Sequence, residues 1–235
     1  MTLRHLSIAL LATAATGAAA GAATPVQRSF PATAFDKVWA SGSEGITIVT
    51  GKTASVVATG PPERLDRLDI GVEGTTLRIG HKSGGSWNMS WGDRDGVRIT
   101  VTMPALRGVH ASGSGDVTAD SGSGPAFDAS LSGSGDLKIA RVNSPQVTLR
   151  TSGSGDIEAE GRCTNAKVSI SGSGEMKLAS LACTNVEISI SGSGDVAALA
   201  TGNANVRISG SGDVNITGGA RCTSKTSGSG DVTCS

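Results

Sequence analysis

The chain has 235 residues, enough for one large all-β domain with a real core, and nothing in its length requires two. It holds 34 glycines, roughly twice the ordinary usage, but only three Trp, three Phe and no Tyr, so a fold that stacks small side chains is indicated. Lys plus Arg equals Asp plus Glu at 20 each, which leaves no basic field for a phosphate backbone, and the glycines do not recur every third residue. Nucleic acid is therefore not an expected partner, and collagen is excluded.

The amino end reads as a targeting segment. Arg4 precedes an uncharged stretch from Leu6 to Ala23 that ends in small residues, so the expectation is a signal peptide over residues 1–23, cleaved between Ala20 and Ala23. No membrane span is expected after cleavage, and no Cys precedes Cys163 to carry an amino-terminal lipid. The mature domain, residues 24–235, divides into an irregular part over 30–110 and regular coils over 111–235.

The coils are set by a repeat. Ser-Gly-Ser-Gly followed by an acid begins at Ser112, Ser132, Ser152, Ser171, Ser191, Ser209 and Ser227, with spacings of 18 to 20 residues. Apolar residues alternate with polar ones before each motif, as in Val186, Ile188 and Ile190, and again after it, as in Met176 and Leu178. Two short strands per unit and no helical period predict one turn of a parallel β-helix per repeat, stacked about 4.8 Å from the next. Inward positions are odd on both sides of the motif, so the chain crosses it without changing faces. An extended or gently bent motif with both glycines inward is favoured, with serines and acids forming outward rows. Asn165, Asn185 and Asn203 share one position and are expected to stack in another corner.

These motifs, with Phe35, Asp36, the segment Leu65 to Ile79 and the "VRITVTMPAL" lead-in from Val97 to Leu106, resemble the head GIN domain named for autotransporter adhesins, a bacterial domain of unknown function. The resemblance covers roughly Phe30 to Ser235. It implies a single-stranded right-handed β-helix and an adhesin-like or binding module of the envelope, and it brings no catalytic residues with it. No autotransporter barrel follows Ser235, so the expectation is a small exported protein, periplasmic, cell-surface or secreted.

The acids of the repeat are Asp116, Asp136, Asp156, Glu175, Asp195, Asp213 and Asp231. A row of like charges about 5 Å apart would raise some pKa values or recruit a cation, and a calcium ladder or the carboxylate cluster of a polysaccharide-cleaving β-helix enzyme is the functional reading. The nine-residue calcium-binding repeat does not match, however, and Asp beside Gly most often caps backbone amides, so the row is read as structural and no metal or cofactor is expected. Histidine is absent from the repeats and equivalent coils give equivalent environments, so catalysis is not the expectation. A carbohydrate-active enzyme using stacked acids is the alternative.

Cys163 and Cys183 open matching "CTN" tripeptides one repeat apart, and Cys222 and Cys234 occupy inward positions of the last repeat. Disulfides Cys163–Cys183 and Cys222–Cys234 are predicted, as suits an oxidising compartment. Trp87, Met89 and Trp91 alternate in "SGGSWNMSWGDRDG", which puts them on one face of a strand or hairpin arm. They are the candidate ligand-binding residues, for a glycan or an envelope or surface protein, with capping of the solenoid's amino end as the structural alternative.

Overall fold

The computed structural model describes residues 25–82 and 96–235. The predicted targeting segment therefore lies outside the described residues.

The chain opens with β1 (Val26–Phe30), β2 (Lys37–Gly42), β3 (Gly45–Thr50) and β4 (Ser55–Gly60), a short helical turn α1 (Pro62–Leu65), then β5 (Leu68–Glu73), β6 (Thr76–His81) and β7 (Arg98–Met103). The repeats follow as β8 (Gly108–Gly113), β9 (Val117–Ala119), β10 (Gly122–Ser123), β11 (Ala126–Gly133), β12 (Leu137–Asn143), β13 (Gln146–Gly153), β14 (Ile157–Gly172), β15 (Met176–Gly192) and β16 (Val196–Gly210). β17 (Val214–Thr217), β18 (Arg221–Gly228) and β19 (Val232–Cys234) complete the stack. It is an all-β parallel solenoid, as the repeat predicted.

Two long sheet faces result. On the first, β6, β2, β8, β11, β13, the second halves of β14, β15 and β16, and β18 lie side by side in parallel. On the second, β7, β3, β9, β12, the first halves of β14, β15 and β16, β17 and β19 do the same. Alternation sends every second side chain inward, and the register makes each inward position an aliphatic ladder: Leu149 on Val168, Ile188 and Val206 on one face, Ile157 on Met176, Val196 and Val214 on the other. Most rungs are 2% exposed or less, and full burial of such a side chain stabilises by about 1.5–3 kcal/mol.

The amino-terminal part is threaded out of order. The β2–β3 coil stacks directly on the β8–β9 coil, Ser41 on Ser112 and Gly42 on Gly113, although about 70 residues separate them in the chain. The outermost coil is β6–β7, laid on the other side of β2–β3. Antiparallel strands then end the stack: β5 pairs β6, β4 pairs β7, and β1 pairs β4. Reversing strand direction removes the template for another parallel coil. At the carboxyl end the stack closes differently: the inward ladders run out into Ser224 beyond Val206 and Thr226 beyond Ile208, so the last rung is polar where water reaches it.

Both predicted disulfides are present. Cys163 and Cys183 are in-register partners with Cα atoms 4.5 Å apart, and Cys222–Cys234 spans the final coil at 6.6 Å. The asparagines also stack: Asn185 Nδ2 donates to Asn165 Oδ1 and Asn203 Nδ2 to Asn185 Oδ1, each at 3.0 Å.

Candidate functional site

The edge where the first face turns into the second is built from the repeated motif. The first glycine of each motif adopts φ between +117° and +137°, so of the extended or gently bent motif favoured from parity the chain takes the bent form. A side chain at Gly172 would place Cβ 2.2 Å from the carbonyl oxygen of Gly153, and one at Gly174 the same distance from that of Gly155. Both glycines are thus fixed by the coil beneath, the first also by its backbone angle. The second glycine is buried in most coils, while the serines face outward.

Five of the seven acids are tied to the next coil. Asp116 Oδ1 accepts the backbone N–H of Asp136 at 2.9 Å, Asp136 that of Asp156 at 3.0 Å, and Asp156 that of Glu175 at 2.9 Å. The longer Glu175 interrupts the chain of bonds, which resumes from Asp195 to Asp213 at 2.7 Å and from Asp213 to Asp231 at 2.9 Å. This is the amide-capping role predicted for Asp beside Gly. It gives the row a structural purpose that requires no cation.

Beside the row, Lys138 lies 2.7 Å from Glu158, and Lys177 lies 2.9 Å from Asp156 and 3.4 Å from Glu175. Burial alone would raise the Asp156 pKa, but the Glu175 amide and the Lys177 ammonium outweigh it and hold the carboxyl below its ordinary value. The Lys177 ammonium is raised in turn, first by its hydrogen bond to Asp156. Asp116, Asp136, Lys138, Asp156, Glu158 and Lys177 border an open depression of about 240 Å³. Among the described residues no group of three or more His, Cys, Asp or Glu side chains is placed to hold a metal ion.

Trp87, Met89 and Trp91 lie outside the described residues, but both anchors of their segment are placed. Ile79 pairs with Ala40 and Arg98 with Gly45. In the coil below, the interval between those two partners is the bend from Ser41 to Glu44. There, His81 Nε2 meets Glu44 Oε1 at 2.9 Å, and the second Glu44 oxygen accepts the Ser43 amide at 3.1 Å. Glu44 stands level with the second glycine of the regular motif, and its carboxylate is nine-tenths buried.

A further cluster on the first face escapes the sequence. Trp39, 46% exposed, has the Arg78 guanidinium over its ring at 5.2 Å and the His110 ring at 5.7 Å on the neighbouring strand. His110 Nδ1 is hydrogen-bonded to Ser130 Oγ, while its Nε2 lies 3.6 Å from Asp128, which also binds Arg150 at 3.0 Å. Ser130, His110 and Asp128 meet here, with His110 lying just ahead of the first motif and so outside the repeats from which histidine is absent. They sit on a flat outward sheet face whose backbone amides are engaged in the strand ladders, so the converging donors of an acyl-transfer site are not formed by these strands. The grouping was hidden because Trp39 and Arg78 meet His110 only through the out-of-order threading.

The stacked bends and the antiparallel cap have counterparts among known proteins. The family described as "Putative auto-transporter adhesin, head GIN domain" matches residues 34–220. The chain belongs to this head GIN family. Among solved structures, a candidate adhesin of Bacteroides fragilis NCTC 9343 is 22% identical with a TM-score of 0.79, the match covering 90% of this chain and 97% of that one. A candidate adhesin of Parabacteroides merdae ATCC 43184 is 19% identical, with a TM-score of 0.72 and coverage of 90% and 96%. A protein of Parabacteroides distasonis ATCC 8503 described as lipid-binding is 21% identical, with a TM-score of 0.67 and coverage of 90% and 97%. At such identities the likeness is one of fold. A search of curated proteins returns no match.

Proposed function

We propose that this head GIN protein is an exported, non-catalytic binding module of the cell envelope. Its ligand is a glycan or a surface protein, engaged at the amino end of the solenoid by Trp87, Met89 and Trp91. The observation that carries the reading is where the segment is anchored: Ile79 before it and Arg98 after it pair with Ala40 and Gly45, the residues that flank the Ser41-to-Glu44 bend of the coil below. Aromatic rings supply a large contact area at little ordering cost, whereas exposed Ser and Asp gain little by exchanging one hydrogen bond for another. Commitment of the acid carboxylates to backbone amides favours binding over acid-base chemistry.

The test is retention on an array of neutral and acidic glycans and on envelope preparations. A Trp87→Ala, Trp91→Ala double variant should keep its β circular dichroism and melting temperature but lose retention, while Asp136→Asn with Asp156→Asn should retain it. Unchanged retention of the Trp variant, or a much lower melting temperature, would overturn the site.

A further inference from the structure

The formal charge of the chain is zero, but the register divides that charge between the two sides of the solenoid. Outward positions of the first face carry Lys37, Arg78, Arg150, Lys167, Arg207 and Lys225, with Arg221 at the corner, against Asp128 and Glu187. The bend and the second face carry the seven acids of the motif with Glu158 and Glu160, against Arg98, Lys138, Arg141, Arg162 and Lys177.

Ion pairing sharpens this division. On the first face the minority charges are consumed, Asp128 by Arg150 and Glu187 by Arg207 at 3.1 Å, while Arg78 is taken up by Glu73 of the neighbouring β5 at 3.1 Å. Lys37, Lys167, Arg221 and Lys225 have no ion pair among the described residues and are exposed. On the acid side the two lysines are consumed by Glu158, Asp156 and Glu175, which leaves Asp116, Asp136, Asp195, Asp213 and Asp231 in excess.

We propose that a second copy of this chain is the partner of these surfaces: the acid ridge of one solenoid lies along the basic sheet face of the next. Charge complementarity and size argue for this occupant. Nine strands about 4.8 Å apart and about six residues wide give the basic face an area of roughly 800 Å², the contribution of one partner to a standard interface. Both surfaces run the length of the same rod, so their spacings match. Because the two patches differ, the contact is heterologous and propagates from copy to copy into side-by-side arrays. It is independent of the ligand proposed above.

Purified protein should show a weight-average mass several-fold above the protomer by light scattering at about 10 mM ionic strength, where the Debye length is about 30 Å, and return to monomer at about 1 M, where it is about 3 Å. Two variants divide the contact. Lys167→Glu with Lys225→Glu reverses the face, and Ser193→Lys with Ser211→Lys loads the ridge with positive charge without touching the carboxylate-to-amide bonds. Each should be monomeric alone at low salt, and an equimolar mixture should associate again, because each supplies the surface complementary to the other's altered one. That recovery also shows both variants to be folded. A wild-type protein that stays monomeric at low salt, association that either variant retains alone, or a mixture that stays monomeric would overturn the proposal. Capture of an acidic polysaccharide by a wild-type protein that remains monomeric would do the same, and would assign the basic face to that polymer.

Discussion

The amino-terminal coils and the regular coils share the same four inward ladders but differ at the bend. From Ser112 onward glycine sits on glycine, with adjacent carbonyl oxygens filling the space a Cβ would need. In the β2–β3 coil Glu44 takes the place of the second glycine, and between β6 and β7 the sequence carries no copy of the motif but the run "SGGSWNMSWGDRDG". The difference follows from neighbours. A regular coil has a like coil on each side and must match both, whereas β6 and β7 meet the antiparallel strands β5 and β4 on their outer side. The ladders therefore set the fold, and the amino-terminal end of the stack is where the chain departs from the repeat.

The largest expected effect tests that contrast directly. Gly172→Ala forces a side chain onto φ +133° and against the Gly153 carbonyl, and should cost about 3 kcal/mol or more in urea unfolding. Gly71→Ala, in the antiparallel cap with nothing within 4 Å of the new Cβ, should be neutral or stabilise by up to about 1 kcal/mol. Equal effects at the two positions would mean that the stacked bend is not the restrictive element.

Next in size are the staples. Replacing Cys163 and Cys183 by Ala should cost about 3 kcal/mol, because a closure of 20 residues in the middle of the stack is released. Replacing Cys222 and Cys234 should instead open the last coil locally. Its inward Ser224 and Thr226 add little apolar stabilisation, so hydrogen exchange should accelerate in β18 and β19 while β13 to β15 stay protected. Equal acceleration across the stack would show that the final coil belongs to the same cooperative unit.

Much of this architecture was legible in the sequence because a repeat constrains register. Once Ser-Gly-Ser-Gly-acid recurred at 18 to 20 residues, inward positions, disulfide partners and the asparagine ladder followed from counting. Two features did not. Ser41-Gly42-Ser43-Glu44 is a divergent copy of the motif, but it ends on Glu where the others have Gly, and it lies so far upstream that no period links it to Ser112. Without that link the register joining Trp39, His110 and Arg78 cannot be written. Parity likewise cannot distinguish an extended segment from a bend of the same residue count, and only the backbone angle at the first glycine separates them. The candidate aromatic site was legible as composition alone: its alternation names a face, while the place of its anchors, Ile79 and Arg98, required the pairing of β6 and β7 with β2 and β3.

The smallest effect concerns the acid row where it meets a lysine, which the amino-terminal coils lack. Asp156 is held below its ordinary pKa: burial opposes this, but the Glu175 amide and Lys177 favour the charged form more strongly. A carboxyl whose folded pKa is depressed contributes stability that is fully present above its unfolded value of about 4 and is lost as pH falls through the folded value. Lys177, raised by the same pair, contributes stability that is present below its unfolded value of about 10.4 and is lost as pH rises through the folded one. Asp156→Asn keeps an oxygen for the Glu175 amide and removes only the charge, so it should cost less than about 1 kcal/mol at neutral pH. The gap between variant and wild type should close below pH 4 and again at strongly alkaline pH. Asp116→Asn, whose carboxylate bonds the Asp136 amide without a lysine beside it, should show no alkaline closure. Urea titrations of both variants at acid, neutral and alkaline pH measure this. Identical profiles for the two would show that the amide bond, and not Lys177, governs the charge of the row.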